Sequence, residues 1–170
     1  MAVEVIKETG LRTPGSNSYV SVLDIDDWVL TNPHDTTWAT LTEAQKNGYA
    51  VMSCRVLDEQ MDWDGWVIED DQSLDLPRSG MINKKGYSID DDEIPVEVRN
   101  AQSEFARLLA ISDRTGDSDL VGLSQLKIGP ISLVADKSDS LPVLPDAVFN
   151  MVRCFGRRSA SKGISQTVRA

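Results

Sequence analysis

Apolar residues recur at three- and four-residue steps in four separate stretches of the chain, each bounded by polar or turn-forming residues, and each therefore predicts an amphipathic helix. In the first, Val22, Ile25, Trp28 and Val29 follow Ser21, which stands three residues before Asp24 in the spacing of an N-terminal capping box. A helix near 22–31 follows, with Asp24, Asp26 and Asp27 close to its positive end. Thr40 and Glu43 repeat the capping spacing ahead of Leu41, Ala44, Tyr49, Val51, Met52, Val56, Leu57 and Met61, which predicts a second helix near 41–61. The third pattern is the clearest: Pro95 at the first turn, then Val98, Ala101, Phe105, Leu108 and Leu109, predicts a helix near 95–112. The fourth opens at Pro145, keeps Val148, Met151, Val152 and Phe155 on one side and stops at Gly156, a helix near 145–155.

The segments between them read differently. Residues 2–8 alternate loosely, as a short strand or arm would, and Pro14-Gly15 with Ser16-Asn17-Ser18 forms a turn and loop. The run "LSQLKIGPISLVAD" holds two short β-rich pieces on either side of Gly129-Pro130, which predicts a hairpin near 124–135. From Asp62 to Asp92 periodicity disappears, leaving a long acidic loop of the kind that is functional or ordered by a partner. Residues 157–170 are polar and basic with no core face, and predict a flexible tail. The expected fold is mainly α: a small helical bundle over residues 1–156 with a β-hairpin inserted before the last helix. At 170 residues, one domain accounts for the chain.

Charge adds a second layer. The net charge is −10, and between Asp58 and Glu93 twelve acids face three bases, a balance of −9. From Arg153 onward there are five bases and no acid. Such a two-signed chain suits contact with copies of itself or with a complementary partner better than a continuous grip on a phosphate backbone. Neither a long apolar run nor a signal-peptide pattern is present, so no membrane contact is expected and the chain is expected to stay in a cytosol-like compartment.

Candidate chemistry is sparse. The single histidine, His34, lies in a polar loop and reads as solvated, and Cys54 and Cys154 sit in apolar-periodic stretches as buried free thiols. In "QMDWDGWVIEDD" the residues Asp62, Asp64, Gly65, Ile68 and Asp71 match parts of a calcium-loop template, but Gln60 occupies its first position and its last lacks glutamate. No metal, cofactor or catalytic residue is expected. Trp28, Trp38, Trp63 and Trp66 could stack on nucleic-acid bases, yet Trp63 and Trp66 are flanked by Asp62, Asp64, Glu69 and Asp70, which repel phosphate. Core or interface anchoring is the preferred account of these tryptophans.

The order of "PGSNSYVSV", "LDEQMDWDGW", "LPRSG", "IPVEVRNAQSEFA" and "KIGPISL" resembles a family of tailed-phage head-to-tail adaptors, also labelled DnaT-like single-stranded DNA-binding proteins. The resemblance covers about residues 5 to 155. It implies a non-enzymatic component of the virion neck, made in the bacterial host cytoplasm and assembled as a ring, commonly twelve-fold. This ring would dock under the portal, meet a tail-side protein such as a tail tube, terminator or nozzle, and pass genomic DNA without binding it specifically. On that reading Arg157, Arg158, Lys162 and Arg169 of the tail bind the portal. Asp62, Trp63, Asp64, Trp66, Asp70, Asp71, Asp90, Asp91 and Asp92 line the channel or the contacts between subunits. The alternative is a DnaT-like accessory protein of replication that binds single-stranded DNA.

Overall fold

The computed structural model describes residues 3–116, 126–128, 131–133 and 142–159. Four helices carry the core: α1 (Val22–Leu30), α2 (Glu43–Gln60), α3 (Val96–Ile111) and α4 (Asp146–Val152). A 3-10 turn over Trp38–Thr40 precedes α2. The capping box of α1 forms as the spacing predicts, Ser21 accepting from the Asp24 amide while the Asp24 carboxylate accepts from the Ser21 amide. At α2 the capping box is shifted by two residues, to Thr42 and Gln45, so the Thr40–Glu43 pair is not the cap. Pro95 and Pro145 stand immediately ahead of α3 and α4, where a missing N–H costs nothing.

Helix α3 is the central element and touches α1, α2 and α4. Its residues Val98, Ala101, Phe105 and Leu109 pack against Cys54, Leu57, Val148, Val152 and Phe155 in the larger core cluster. Ala106 turns to a second cluster with Val20, Ile25, Val29, Trp38 and Ala50. Residues 17–20, "NSYV", join the two, with Tyr19 in the larger cluster and Val20 in the second. Tyr19 and Val20 are buried, and the side chain of Gln102 accepts from the Tyr19 amide (2.9 Å) and donates to Ser18 Oγ (2.7 Å) and to the Ala50 carbonyl (2.9 Å).

The remainder departs from a mainly α bundle. Three two-stranded antiparallel sheets accompany the helices among the described residues. β1 (Met61–Trp63) pairs with β6 (Gly156–Arg158), β2 (Trp66–Val67) with β3 (Arg78–Ser79), and β4 (Leu126–Ile128) with β5 (Ile131–Leu133). The β4–β5 pairing is the hairpin expected near 124–135, although Gly129-Pro130 lies outside the described residues. The architecture is helix-rich and mixed.

Two expectations are corrected here. The stretch from Asp62 to Asp92 is largely loop and turn with very short strands, but it is ordered by the chain's own core and not left for a partner: Trp63, Leu76, Pro77, Met81 and Ile89 are buried, at intervals too irregular for any single period to reveal. Helix α4 ends at Val152, three residues early, and after the turn at Phe155 the chain returns as β6. Arg157 and Arg158 therefore belong to a strand, where Arg157 faces Asp62 (3.4 Å) and Arg158 pairs with Asp146, and not to a tail. Lys162 and Arg169 lie outside the described residues.

Gly156 makes this pairing possible. A Cβ there would stand 2.5 Å from the Asp62 carbonyl oxygen and 3.0 Å from Trp63 Cα, both backbone atoms that cannot swing away. Gly156→Ala is expected to lower stability by about 1–3 kcal/mol, the usual range for forced overpacking. A fall in urea midpoint at unchanged slope would register it, and an unchanged midpoint would refute it.

Candidate functional site

Two features of the surface carry chemistry. The first is a cleft of about 370 Å³ beside the C-terminal half of α2, lined by Arg55, Asp58, Glu59, Gln72, Ser73, Leu74 and Asp75. Asp58 forms its inner wall. Its carboxylate accepts the Tyr19 hydroxyl (2.9 and 2.8 Å to its two oxygens) and the Trp63 indole N–H (3.0 Å), while Tyr19 Oη accepts the Leu76 amide (3.2 Å). One acid thus ties the chain before α1 to α2, β1 and the segment ahead of β3.

This arrangement is electrostatically expensive. Desolvation, with the charge of Asp75 adding to it and the Tyr19 and Trp63 donors opposing, lifts Asp58 to about 7. Asp75 is raised by burial as well, against the pull of Arg78. Tyr19 and Cys54 are pushed well above their ordinary values, by burial first and by the Asp58 charge second. A second buried set behaves in the opposite way: hydrogen bonds from Arg107 and from the Trp28 indole hold Glu104 below its usual range against desolvation, and Arg107 also binds Asp35. That set cross-links α1, α3 and the loop before the 3-10 turn, and has the character of a structural clamp.

The second feature is the tip formed by β2, β3 and residues 82–88. Trp66 pairs across the ribbon with Ser79, and Ile82 bridges to Ser88. The tip is held by Asn83, whose carboxamide oxygen accepts the amides of Lys85 and Tyr87 (both 3.0 Å) and whose own amide donates to the Tyr87 carbonyl (2.8 Å). Trp66 and Tyr87 are 65% and 68% exposed, an unusual state for two large aromatics in one short stretch. Ile82, Lys84 and Lys85 are exposed beside them.

The structure sorts the predicted residues unevenly. Trp63 is removed from the candidates for channel or subunit contact, because it is buried and bonded to Asp58; the reason is that it alternates inward on β1 while Asp62 points out. Trp66 stays exposed, as do Asp64, Asp70, Asp71, Asp90, Asp91 and Asp92. Asp62 is engaged by Arg157. Of the other tryptophans, Trp38 is buried with its N–H on Asp26 and Trp28 is half-buried on Glu104, both anchoring their own chain. His34 is exposed, Cys54 is a buried free thiol and Cys154 is a half-buried one. Among the described residues no group of three or more His, Cys, Asp or Glu side chains is arranged to hold a metal ion. No helix among them is long and apolar enough to cross a membrane.

Sequence reasoning missed Asp58, Tyr19, Gln102 and Tyr87. A polar residue on the apolar side of a helix signals the first and third: Asp58 stands four residues after Cys54 and three before Met61, and Gln102 four after Val98 and three before Phe105. Nothing local marks Tyr19 or Tyr87.

The structure defines a helix-rich mixed domain with an exposed aromatic and basic segment over residues 66–88. Over residues 3–170 the chain matches the family described as "Putative DnaT-like ssDNA binding protein", and it belongs to that family. No curated protein and no solved structure matches it.

Proposed function

We propose that this protein is a non-catalytic, DnaT-like protein that binds single-stranded DNA. The observation that carries the reading is family membership over nearly the whole chain. The physical objection from the sequence was a −9 block around the two stacking tryptophans, and it loses part of its force in three dimensions. Glu69 is paired with Arg12 (2.8 Å), and Lys84 and Lys85 are exposed on the same tip as Trp66 and Tyr87. On such a surface stacking contributes roughly 1–3 kcal/mol per base, and each phosphate-contacting lysine adds a salt-dependent part.

A labelled oligothymidine titrated at low salt tests this directly. Binding is expected with a shallow salt dependence, a slope of roughly −1.4 for two phosphate-contacting lysines on a single strand. Absence of binding at low salt, where attraction is strongest, would sink the reading.

A second reading is favoured by the acid-rich surface: a ring-forming head-to-tail adaptor of a tailed-phage neck. A ring, twelve-fold in the resemblance, would seat under the portal, meet a tail-side protein and present its carboxylates to passing DNA, which they repel. Asp64, Asp70, Asp71 and Asp90 to Asp92 are exposed as that role requires. Light scattering of the protein alone and with a portal separates the two, since the adaptor must assemble and the DNA-binding protein need not.

A further inference from the structure

We propose that Trp66 and Tyr87 are stacking sites, one base each, for a single strand, with Lys84 and Lys85 on the adjoining phosphates. The proposal rests on the single-stranded DNA reading and names the surface that would perform it. Three observations carry it. The Trp66 ring is pinned without being covered: its benzo edge lies where a side chain on Gly80 would be, 2.8 Å from an added Cβ, yet the residue is 65% exposed. Gly80 has φ +80°, so the chain turns there in a conformation that suits glycine and leaves room for the indole.

Tyr87 is presented by a closed turn. With Asn83 bonded to the Lys85 and Tyr87 amides, and Gly86 N–H on the Asn83 carbonyl (2.9 Å), little loop ordering remains to oppose binding. The antiparallel bridge between Ile82 and Ser88 closes this turn three residues beyond the end of β3 at Ser79, so Trp66 and Tyr87 are carried by consecutive parts of the same chain segment. Finally, among the described residues neither Lys84 nor Lys85 forms a salt bridge with a carboxylate, as is also true of Arg78, Arg99, Arg114 and Arg153, and of these six the two lysines are adjacent in sequence and both exposed. Two cations without partners beside two exposed rings fit a ligand that has anions and flat faces in alternation.

The test is fluorescence anisotropy of a labelled oligothymidine with the full chain and four variants: Trp66→Ala, Tyr87→Ala, the double Lys84→Ala/Lys85→Ala, and the double Arg157→Ala/Arg158→Ala. Each aromatic variant is expected to weaken binding by about fivefold to a hundredfold. The lysine pair should flatten the salt slope toward zero, and the arginine pair should leave affinity within about twofold. Circular dichroism confirms folding; were Tyr87→Ala unfolded, Trp66→Ala and Tyr87→Phe, the latter binding normally, decide the matter. If the wild type binds and both aromatic variants bind equally well, the platform is overturned while the DNA reading stands. If the wild type does not bind at all, both fall. If Trp66→Ala instead dissolves a self-associated state without touching DNA affinity, the tip is a contact between copies and the proposal is overturned.

Discussion

Replacing Gln102 by leucine is expected to lower stability by roughly 2–4 kcal/mol, among the largest effects of any single change in this protein. The side chain is fully buried and makes three hydrogen bonds to Tyr19, Ser18 and Ala50. Leucine fills a similar volume, so packing is not the cause. The Tyr19 amide loses its acceptor and becomes a buried, unpaired donor, while the Ala50 carbonyl keeps its place in the helix and Ser18 keeps the Val20 carbonyl. Val96→Gln on the same helix is the control, since Val96 is 50% exposed and should shift stability by no more than about 0.5 kcal/mol. Urea denaturation of the two variants decides it. Equal midpoints would show that the bridge from α3 to the chain before α1 contributes nothing.

The second large effect is a dependence on pH centred on Asp58. Its folded value of about 7 lies far above the ordinary 3.8, so between those two values the folded protein holds a proton that the unfolded chain has released. Stability then falls as pH rises through that window. The contribution is complete below about 4 and lost above about 7. Asp24, Asp35 and Glu104 act with the opposite sign: their folded values are lowered, and their contribution disappears as pH falls through the acid range. A maximum on the acid side of neutrality, near pH 5, follows from the two together.

Asp58→Asn is the informative variant. It retains an oxygen to accept from Tyr19 and Trp63 and carries no charge to desolvate, so at pH 8 it should be more stable than the wild type, by roughly 2–4 kcal/mol. Near pH 5 the advantage should vanish. Thermal melts of both proteins from pH 4.5 to 8.5 measure the difference, and parallel profiles would show that Asp58 is an ordinary carboxylate. Because the Tyr19 and Trp63 donors only partly offset the cost of burying the ionised Asp58, opening of the segment that supports β2 and β3 should become more frequent at alkaline pH. Hydrogen exchange at the Leu76 amide would report it.

The elements that could be read from the chain are those encoded within a few neighbouring residues. The α1 capping box, the apolar stripe of α3 and the paired β-runs at 126–133 each lie within one local window, and all formed close to their expected bounds. The cap of α2 was misplaced because two overlapping four-residue patterns, Thr40–Glu43 and Thr42–Gln45, are equally plausible in sequence and only helix geometry selects one. At the candidate site Trp63 and Trp66 were read alike, as core or interface anchors, and the distinction between them was not legible. Both sit among the same acids, and burial alone separates them.

Local pattern therefore determined the four helices, their order, the hairpin and the two-signed charge of the chain, since periodicity and capping act over three to seven residues. Tertiary structure decided the rest. It returned Arg157 and Arg158 to β1 across 95 residues, folded Leu76, Met81 and Ile89 into the core, raised Asp58 by burying it against Tyr19, and left Trp66 and Tyr87 outside. These outcomes depend on which distant surfaces meet. A long-range contact leaves no period in the sequence, because the free energy that fixes it comes from burial and pairing between segments that have no local relation to each other.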